Sequence, residues 1–359
     1  MQNEIRTLTF ENQDIFIGLD THLKSIKTTI LTEQLEHKTF SMDPKAEVLS
    51  EYLQKHFPGG NYYSVYEASF GGFSLHRELV KLGIKNIVVS PADVPTTNKE
   101  QLQKEDKRDS RKLAKLLRGK VLEPIYVPSE EMQELRMLIR YRRILSKEIG
   151  KNKNRTKSFL YFLGIDIPGE LNSASRYWSK KFTDWLKSLS LSTEEGKIVL
   201  DTIIKTTEHS RQQLLQINRT IRQLSKAGKY AKMLNYLMTI PGVGIITAIT
   251  ILTEIEDIRR FKTDDQLCSF VGIIPSTHSS GEKEIIAGIT RRSNRSLRHM
   301  IIEASWIAAK RDPALAYCFN EYCKRMKKNQ AIIRIAKKIV KRIKFVMKNE
   351  TEYVHSVLQ

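Results

Sequence analysis

Four acidic side chains stand where they could hold metal ions for phosphodiester chemistry. Asp20 ends an apolar run, Glu67 ends the segment SVYE, and Asp106 and Asp109 lie three residues apart at the start of a helical pattern. Three leucines follow at helical spacing, Leu113, Leu116 and Leu117. The two helix acids should therefore lie on the face that packs toward a sheet. Carboxylates there are costly unless neutralised, and two divalent cations would neutralise them while activating a phosphodiester.

Each acid also has a plainer explanation. Asp106 could be a helix N-cap with Asp109 in the first turn, where carboxylates favour the helix dipole. Asp20 could simply close a turn after its strand. Their joint order, strand Asp, strand Glu and then helical DxxD, favours the metal hypothesis and resembles the ribonuclease-H-like fold of Holliday-junction resolvases.

A second candidate group surrounds the segment THSSG at residues 277–281, which we interpret as a small-residue loop. Ser280 there could approach a phosphate closely and act as a nucleophile, with His278 as a hypothetical base. Four arginines that follow could neutralise developing charge, Arg291, Arg292, Arg295 and Arg298. The alternatives are an ordinary Ser/Gly turn and a histidine that faces solvent or phosphate.

Two further segments favour contact with nucleic acid. The Gly-rich turn PGVG, with Gly242 and Gly244, precedes an apolar helix and resembles a helix-hairpin-helix unit, although it could be an ordinary helix entry. The tail 322–348 has 11 Lys and Arg in 27 residues and no acid, which favours a nucleic-acid contact that weakens steeply with salt. The alternative is a solvated helix that binds no ligand. The predicted contact residues also include Lys283, Lys337, Lys338, Lys341 and Arg342.

Composition limits the classes of function. Sixty Lys and Arg against 40 Asp and Glu give a net charge of +20, which favours a polyanionic partner. We expect no membrane span and no signal peptide in this sequence, and a location in the cytoplasm or nucleoid. The three cysteines form no CxxC pair with a histidine cluster, which argues against zinc or a disulfide framework.

The pattern of elements predicts an α/β domain, then helices. Residues 14–32 suggest two antiparallel strands, 62–66 and 87–89 further strands, and Asp43 can cap a helix running to about Phe57. We predict an α/β domain at 1–128, an antiparallel helical arm at 129–233 broken at 164–168 and near Thr193, and a mostly helical domain at 234–359 with a basic tail.

Taken together, these motifs resemble the insertion-sequence transposases with an N-terminal DEDD, RuvC-like domain, a group related to the Piv-type DNA invertases. The resemblance rests on GLDTH (18–22), YEASFGG (66–72), KEDKRDSRKLAKLL (104–117), IPGVGIITA, SSGEK and ITRRSNRSLRHMIIEA. Ser110 stands where the family more often has alanine, and the lengthened region 170–205 is a further departure.

The resemblance implies a chemistry. Asp20, Glu67, Asp106 and Asp109 would bind Mg²⁺, with Mn²⁺ as a substitute, and Ser280, with Ser279 as second candidate, would form a phosphoserine link to DNA. It also implies double-stranded DNA of the element ends and target as substrate, a noncoding bridge RNA as guide, and a homo-oligomer built as a dimer of dimers. The arm 129–233 would serve assembly and RNA contact. Two rival functions are a carboxylate-only junction-resolving nuclease and a noncatalytic nucleic-acid-binding protein.

Overall fold

The computed structural model of the chain describes residues 9–96, 106–173, 176–280, 283–290 and 293–355. The polypeptide folds into two units, residues 1–128 and 129–359. No helix in these described ranges is both long enough and apolar enough to cross a bilayer.

The first unit is built on a five-stranded mixed sheet in the order β3-β2-β1-β4-β5. Its strands are β1 (Asp14–Thr21), β2 (Ile26–Leu31), β3 (Glu36–Met42), β4 (Asn61–Glu67) and β5 (Lys85–Val89). The first three form an antiparallel meander, whereas β4 and β5 run parallel to β1. Crossovers to parallel strands need intervening helices, and the chain supplies them.

Helices cover both faces of the sheet. On one face, β1 packs against α1 (Ala46–His56) through Ile15, Ile17 and Leu19, and α2 (Ser74–Lys81) contributes Leu79. On the other face lies α3 (Asp106–Arg118). Its residues Leu113, Ala114 and Leu117 pack against alternate sheet residues, Phe16, Leu31, Val65 and Val89. Strand alternation thus sends successive residues of β1 into two separate cores.

Gly18 permits an unusually close approach of α3 to β1. A Cβ atom at this position would lie 2.0 Å from the Ser110 carbonyl oxygen and 2.5 Å from the Ala114 nitrogen. The buried Ser110 hydroxyl is also hydrogen-bonded to the Thr29 hydroxyl at 2.9 Å. The helix backbone therefore rests directly on the sheet. Residue 18 must be glycine, because no side chain fits between strand and helix.

The second unit begins with a long antiparallel helical pair. Helix α4 (Glu130–Phe162) runs against α6 (Glu194–Lys226), and the short α5 (Lys180–Ser188) lies between them in sequence. Leu160, at the end of α4, shares a core with Leu200 and Ile204 near the start of α6. Ile139, near the start of α4, and Ile221, near the end of α6, lie in one core at the other end of the pair. Side chains of Ser129, Ser179 and Thr193 cap the three helices.

The remainder of this unit is a helical cluster with one hairpin. Its helices are α7 (Ala231–Met238), α8 (Ile245–Ile255), α9 (Asp264–Val271), α10 (Arg295–Arg311), α11 (Pro313–Cys323) and α12 (Lys328–Asn349). The antiparallel strands β6 (Pro275–Ser280) and β7 (Lys283–Ile289) stand between α9 and α10. Helix α12 buries one apolar stripe, with Ile332, Ile335, Ile339 and Ile343 each at most 2% exposed.

Several local predictions need correction. The edge strand β3 was not predicted, because its residues are polar and half-exposed and it is stabilised by pairing with β2. Helix α1 begins at Ala46 after Lys45, with no side-chain cap, rather than at Asp43–Pro44. Residues Thr277–Ser280 belong to strand β6, not to an irregular loop. Ile139 and Ile221 of the predicted arm share a core with residues of the predicted C-terminal domain, and the division between the two at residue 233 stays a prediction.

Replacing Gly18 by alanine should destabilise the first unit by at least about 2 kcal/mol, because the added methyl group would overlap main-chain atoms that cannot move independently. Gly150→Ala is the matched control, since nothing lies within 4 Å of a Cβ there and α4 should gain about 0.5–1 kcal/mol. Thermal unfolding of both variants measures the difference. Equal tolerance of the two substitutions would refute the close-approach argument.

Candidate active site and nucleic-acid interface

Two of the predicted acids are neighbours at one edge of the sheet. Leu19 pairs with Tyr66 across the parallel strands β1 and β4, so Asp20 and Glu67 are the next residues along each strand. Neighbouring strands are about 4.8 Å apart. By alternation, both acids lie on the face of Gly18 and Val65, which α3 covers. The Asp20 side chain is 21% exposed, and its Oδ2 lies 3.1 Å from His22 Nε2.

Helix α3 brings the other two acids toward the same edge. Ser110 and Ala114 rest on Gly18, whereas Ala114 and Leu117 pack with Phe16, so α3 runs antiparallel to β1. Its N-terminus therefore points toward the end of β1 that carries Asp20. Asp109 is partly buried one turn before Leu113, which is 2% exposed. Asp106 is the first residue of the helix, and its side chain lies outside the described residues.

The donor chemistry of this edge fits a hard divalent cation. Asp20, Glu67 and Asp109 offer only carboxylate oxygens, which Mg²⁺ and Mn²⁺ prefer. Among the described side chains, no three His, Cys, Asp or Glu groups already converge as a metal site. The structure therefore makes Asp20 and Glu67 neighbours, and the role of these two and of Asp106 and Asp109 as metal ligands remains a prediction.

The loop after Glu67 is held by a residue that the sequence reasoning missed. Tyr66 is 2% exposed and its hydroxyl donates to the Gly72 carbonyl at 3.0 Å. Burial raises the pKa of Tyr66 to about 12, so the phenol stays protonated and keeps donating at neutral pH. The Ala68 amide donates to the Val89 carbonyl at 2.8 Å. Glu67 is therefore placed by anchored residues on both sides.

The predicted nucleophile lies in the β-hairpin of the second unit. Ser280 pairs with Lys283 and Ser279 with Glu284 at the end of the hairpin, whereas Pro275 pairs with Ile289 at its base. The side chains of residues 276–287 lie outside the described set, and so do residues 291 and 292. The predicted roles of Ser279, Ser280, His278, Lys283, Arg291 and Arg292 consequently stay predictions.

Arg298 holds the base of this hairpin. Its Nη1 donates to the carbonyls of Thr290, at 2.7 Å, and Gly272, at 3.2 Å. The Thr290 amide donates to the Ile274 carbonyl at 3.1 Å. These bonds give Arg298 a role in positioning the strands that lead to Ser280, and its predicted contact with nucleic acid stays a prediction.

The buried carboxylate of Glu254, which the sequence analysis did not single out, connects three elements. Glu254 in α8 is 2% exposed and accepts two 2.9 Å hydrogen bonds from the Arg140 guanidinium of α4. It also accepts from the Asn294 amide at 2.7 Å, while Asn294 Oδ1 caps α10 by accepting from the Leu297 amide. The sequence does contain a sign of this contact, an acid inside the apolar run TILTEI. An acid buried in such a run needs a cationic partner.

The two predicted glycines of the PGVG turn differ in role. Gly242 has φ +86°, and a Cβ there would lie 2.2 Å from the Ala304 carbonyl oxygen, so its requirement comes from packing against α10. Gly244 is exposed at the N-cap of α8, where no side chain caps the helix. Only Gly244 therefore presents an open helix start suited to a phosphate.

The basic tail is partly neutralised within the chain. Lys337 lies 2.8 Å from Asp265, and Lys341 lies 3.3 Å from Asp264. Arg342 donates to the Tyr353 hydroxyl at 2.9 Å. Lys338 makes no ion pair within the described residues. Of the predicted tail contacts, Lys338 is the one whose charge remains most available to an external phosphate.

Comparison with known proteins identifies the group to which the sequence is similar. A model of the transposase IS116/IS110/IS902 family matches residues 234–318, and an IS110-type DEDD transposase model matches residues 17–164. Residues 165–233 lie between these matches. The transposase of insertion sequence IS1533 from Leptospira borgpetersenii is 25% identical over 304 residues, covering 81% of this chain and 84% of that protein.

Two further relatives match over a shorter part of their length. A Sinorhizobium fredii protein described as a transposase, y4qE, is 28% identical over 244 residues, which span 68% of this chain and 58% of that protein. The transposase of insertion sequence IS1111A from Coxiella burnetii is 25% identical over 241 residues, 67% of this chain and 64% of its own length.

Glu254→Gln should lower the free energy of unfolding of the second unit by about 2–3 kcal/mol, because it removes the charge from hydrogen bonds that Arg140 and Asn294 direct at one buried group. Glu208→Gln is the control: it breaks an ion pair with Lys187 at a carboxylate that is 38% exposed, a kind of pair worth little. Urea denaturation compares the two variants. A Glu254 effect no larger than the Glu208 effect would contradict the assigned role.

Proposed function

We propose that this chain, which belongs to the IS110/IS116 family of insertion-sequence transposases, cuts and rejoins DNA strands through a serine nucleophile assisted by divalent metal. The observation that carries the proposal is the adjacency of Asp20 and Glu67 on parallel strands, at the edge toward which α3 directs Asp106 and Asp109. Membership in a DEDD transposase group suggests divalent-metal dependence, and Mg²⁺ is our specific proposal.

In this proposal the sheet carries two of the four acids and α3 carries the other two. Asp20 and Glu67 would hold Mg²⁺ from the sheet, and Asp106 and Asp109 from the first turn of α3. A bound ion would supply Lewis-acid activation of a phosphodiester and stabilisation of negative charge on the departing oxygen. The chain contributes fixed spacing, because main-chain contact at Gly18 prevents α3 from sliding over β1. His22, at 3.1 Å from Asp20, would orient that carboxylate.

Ser280 would form a temporary covalent bond to the DNA strand. Its Oγ forms a bond to phosphorus while the bond from phosphorus to a deoxyribose oxygen breaks, and the serine proton passes to that oxygen as the leaving hydroxyl. Rejoining reverses the step: a strand hydroxyl attacks the phosphoserine, and the serine hydroxyl is restored. The number of phosphoester bonds is unchanged, so no external energy source is required. Ser279 is the second candidate for this role.

We also propose a noncoding guide RNA and a dimer of dimers, with the pair α4–α6 as the assembly and RNA-contact arm. Exposed aromatics support an interaction at the end of α4, where Tyr161 is 88% and Phe162 86% exposed. Two adjacent aromatic side chains that are this exposed offer an apolar surface on which a partner could pack. The region 170–205 contains α5 and forms the core beneath that end.

Ser280→Ala should abolish the covalent link between protein and DNA and reduce recombination by at least about 100-fold, since no other oxygen would take over the attack. The substrate is a supercoiled plasmid that carries the DNA flanking this coding sequence, and the readouts are a denaturant-resistant adduct and amplified recombinant junctions. Asp20→Asn should lose both as well. Ser279→Ala decides between the two candidate serines: it should retain both, whereas their loss in Ser279→Ala and retention in Ser280→Ala would transfer the role to Ser279.

Cleavage that persists in Ser280→Ala but not in Asp20→Asn would replace the serine mechanism by metal-dependent hydrolysis. Recombination that survives in both variants would remove the catalytic assignment altogether.

Protein purified from cells that carry the complete element should retain a discrete RNA transcribed from its noncoding DNA, because the cationic surface shields the RNA from nuclease during purification. Sequencing of the bound RNA measures this. Protein expressed from the coding sequence alone is the control and should lack the species. Recovery of only bulk cellular RNA from both preparations would overturn the guide proposal.

A further inference from the structure

A cationic cleft lies between the long helix α4 and the start of α10, within the second unit. Its volume is about 420 Å³, and its walls are Arg140, Arg143, Ile144 and Lys147 on one side and residues 293–296 on the other. The residues from α4 are spaced i, i+3, i+4 and i+7, so they form one stripe along the helix. No acid is among the residues that line the cleft.

The positive charge of the cleft exceeds what the chain itself neutralises. Arg140 is matched by Glu254, which lies behind it. Arg143, Lys147 and Arg295 make no ion pair with any described residue. Like charges at these spacings repel one another, so an anion bound between them would relieve the repulsion.

The start of α10 forms the second wall of the cleft. The Asn294 side chain is engaged within the protein, because its oxygen accepts from the Leu297 amide and its amide donates to Glu254. Ser293 Oγ is inaccessible to solvent and is therefore closed to a ligand in the cleft. The exposed Arg295 and the first turn of α10 are the groups of this wall that can face an anion.

A phosphodiester matches this set of donors. Its oxygens accept hydrogen bonds in several directions at once, and guanidinium, ammonium, hydroxyl and helix-start amides are the groups that proteins use for backbone phosphates. A carboxylate has fewer acceptor directions, and a free small anion would leave most of the 420 Å³ unfilled. The open cleft instead allows a polymer to enter and leave along it.

The position of the cleft indicates which DNA strand it would bind. Ser293 follows β7 by four residues, and Arg298, one turn into α10, clamps the base of the same hairpin. Ser280 stands at the other end of β6, roughly 17 Å from Pro275 at about 3.4 Å per residue. We propose that this cleft binds a backbone phosphate of the DNA strand that Ser280 attacks, within about five nucleotides of the cleaved bond. The inference rests on the function proposed above and adds a binding site to it.

The double variant Arg143→Gln, Lys147→Gln tests the site. With the nuclease-treated full-length protein and a fluorescein-labelled 30-base-pair duplex of arbitrary sequence, we expect the Kd to rise about tenfold. The slope of log K against log salt should become shallower by about 1, the change expected for one phosphate contact. The matched control Lys55→Gln, Lys81→Gln removes the same charge from exposed positions of α1 and α2 and should change neither value.

Arg295→Gln gives a second readout, from the wall of the cleft opposite Arg143 and Lys147. Removing this exposed guanidinium should leave the melting temperature unchanged, while weakening duplex binding about threefold. Lower stability together with unchanged binding would overturn the site, and so would equal losses of binding in the cleft and control double variants.

A labelled 30-nucleotide single-stranded RNA separates the two nucleic acids. Loss of RNA binding with unchanged duplex binding would overturn the assignment to DNA. These measurements report equilibrium binding and not strand cleavage, so they do not depend on the serine chemistry. Failure of the cleft would appear as unchanged Kd in the double variant, and failure of the serine mechanism as an adduct that survives Ser280→Ala.

Discussion

The buried carboxylate of Glu254 is the contact on which the arrangement of the second unit depends. An ionised acid at 2% exposure is unfavourable in an apolar helix unless cations and hydrogen-bond donors surround it. Its partners come from 114 residues before it in sequence, at Arg140, and 40 residues after it, at Asn294. Because Asn294 also starts α10, and α10 holds the hairpin through Arg298, one electrostatic requirement orients the long arm, the helix start and the serine-bearing strands together.

A different constraint organises the first unit, where main chain meets main chain. Gly18 lets α3 lie against β1 with no side chain between them, so the distance between strand acids and helix acids is set by backbone atoms. Repacking of neighbouring side chains cannot change it. Such a support suits carboxylates that must be held apart from one another until a cation joins them.

Much of the sheet and the candidate acids could be predicted from sequence, because the information is local. Apolar runs identified β1, β2, β4 and β5, and offsets from Leu113 oriented α3. Strand β3 was missed because its first residues, Glu36 to Lys38, are exposed and gain order only from β2. The segment around Ser280 was interpreted as a loop because β6 consists mostly of small polar residues. Its strand conformation depends on pairing with β7, which the residues of β6 alone do not reveal. The contacts Glu254 to Arg140 and Asp264 to Lys341 join distant segments, and no periodicity reveals them.

The lysines of α12 carry their own counterions. Lys337 has Asp265, while Lys341 and Lys344 share Asp264 of α9. A phosphate that approaches these lysines must displace a tethered carboxylate, which stays on the protein surface instead of diffusing away. The entropy that mobile salt ions gain on leaving a polyelectrolyte is then missing from this part of the association. The electrostatic attraction available for nucleic acid is accordingly smaller than an excess of 20 positive charges suggests, and it is concentrated on cations that have no acidic neighbour.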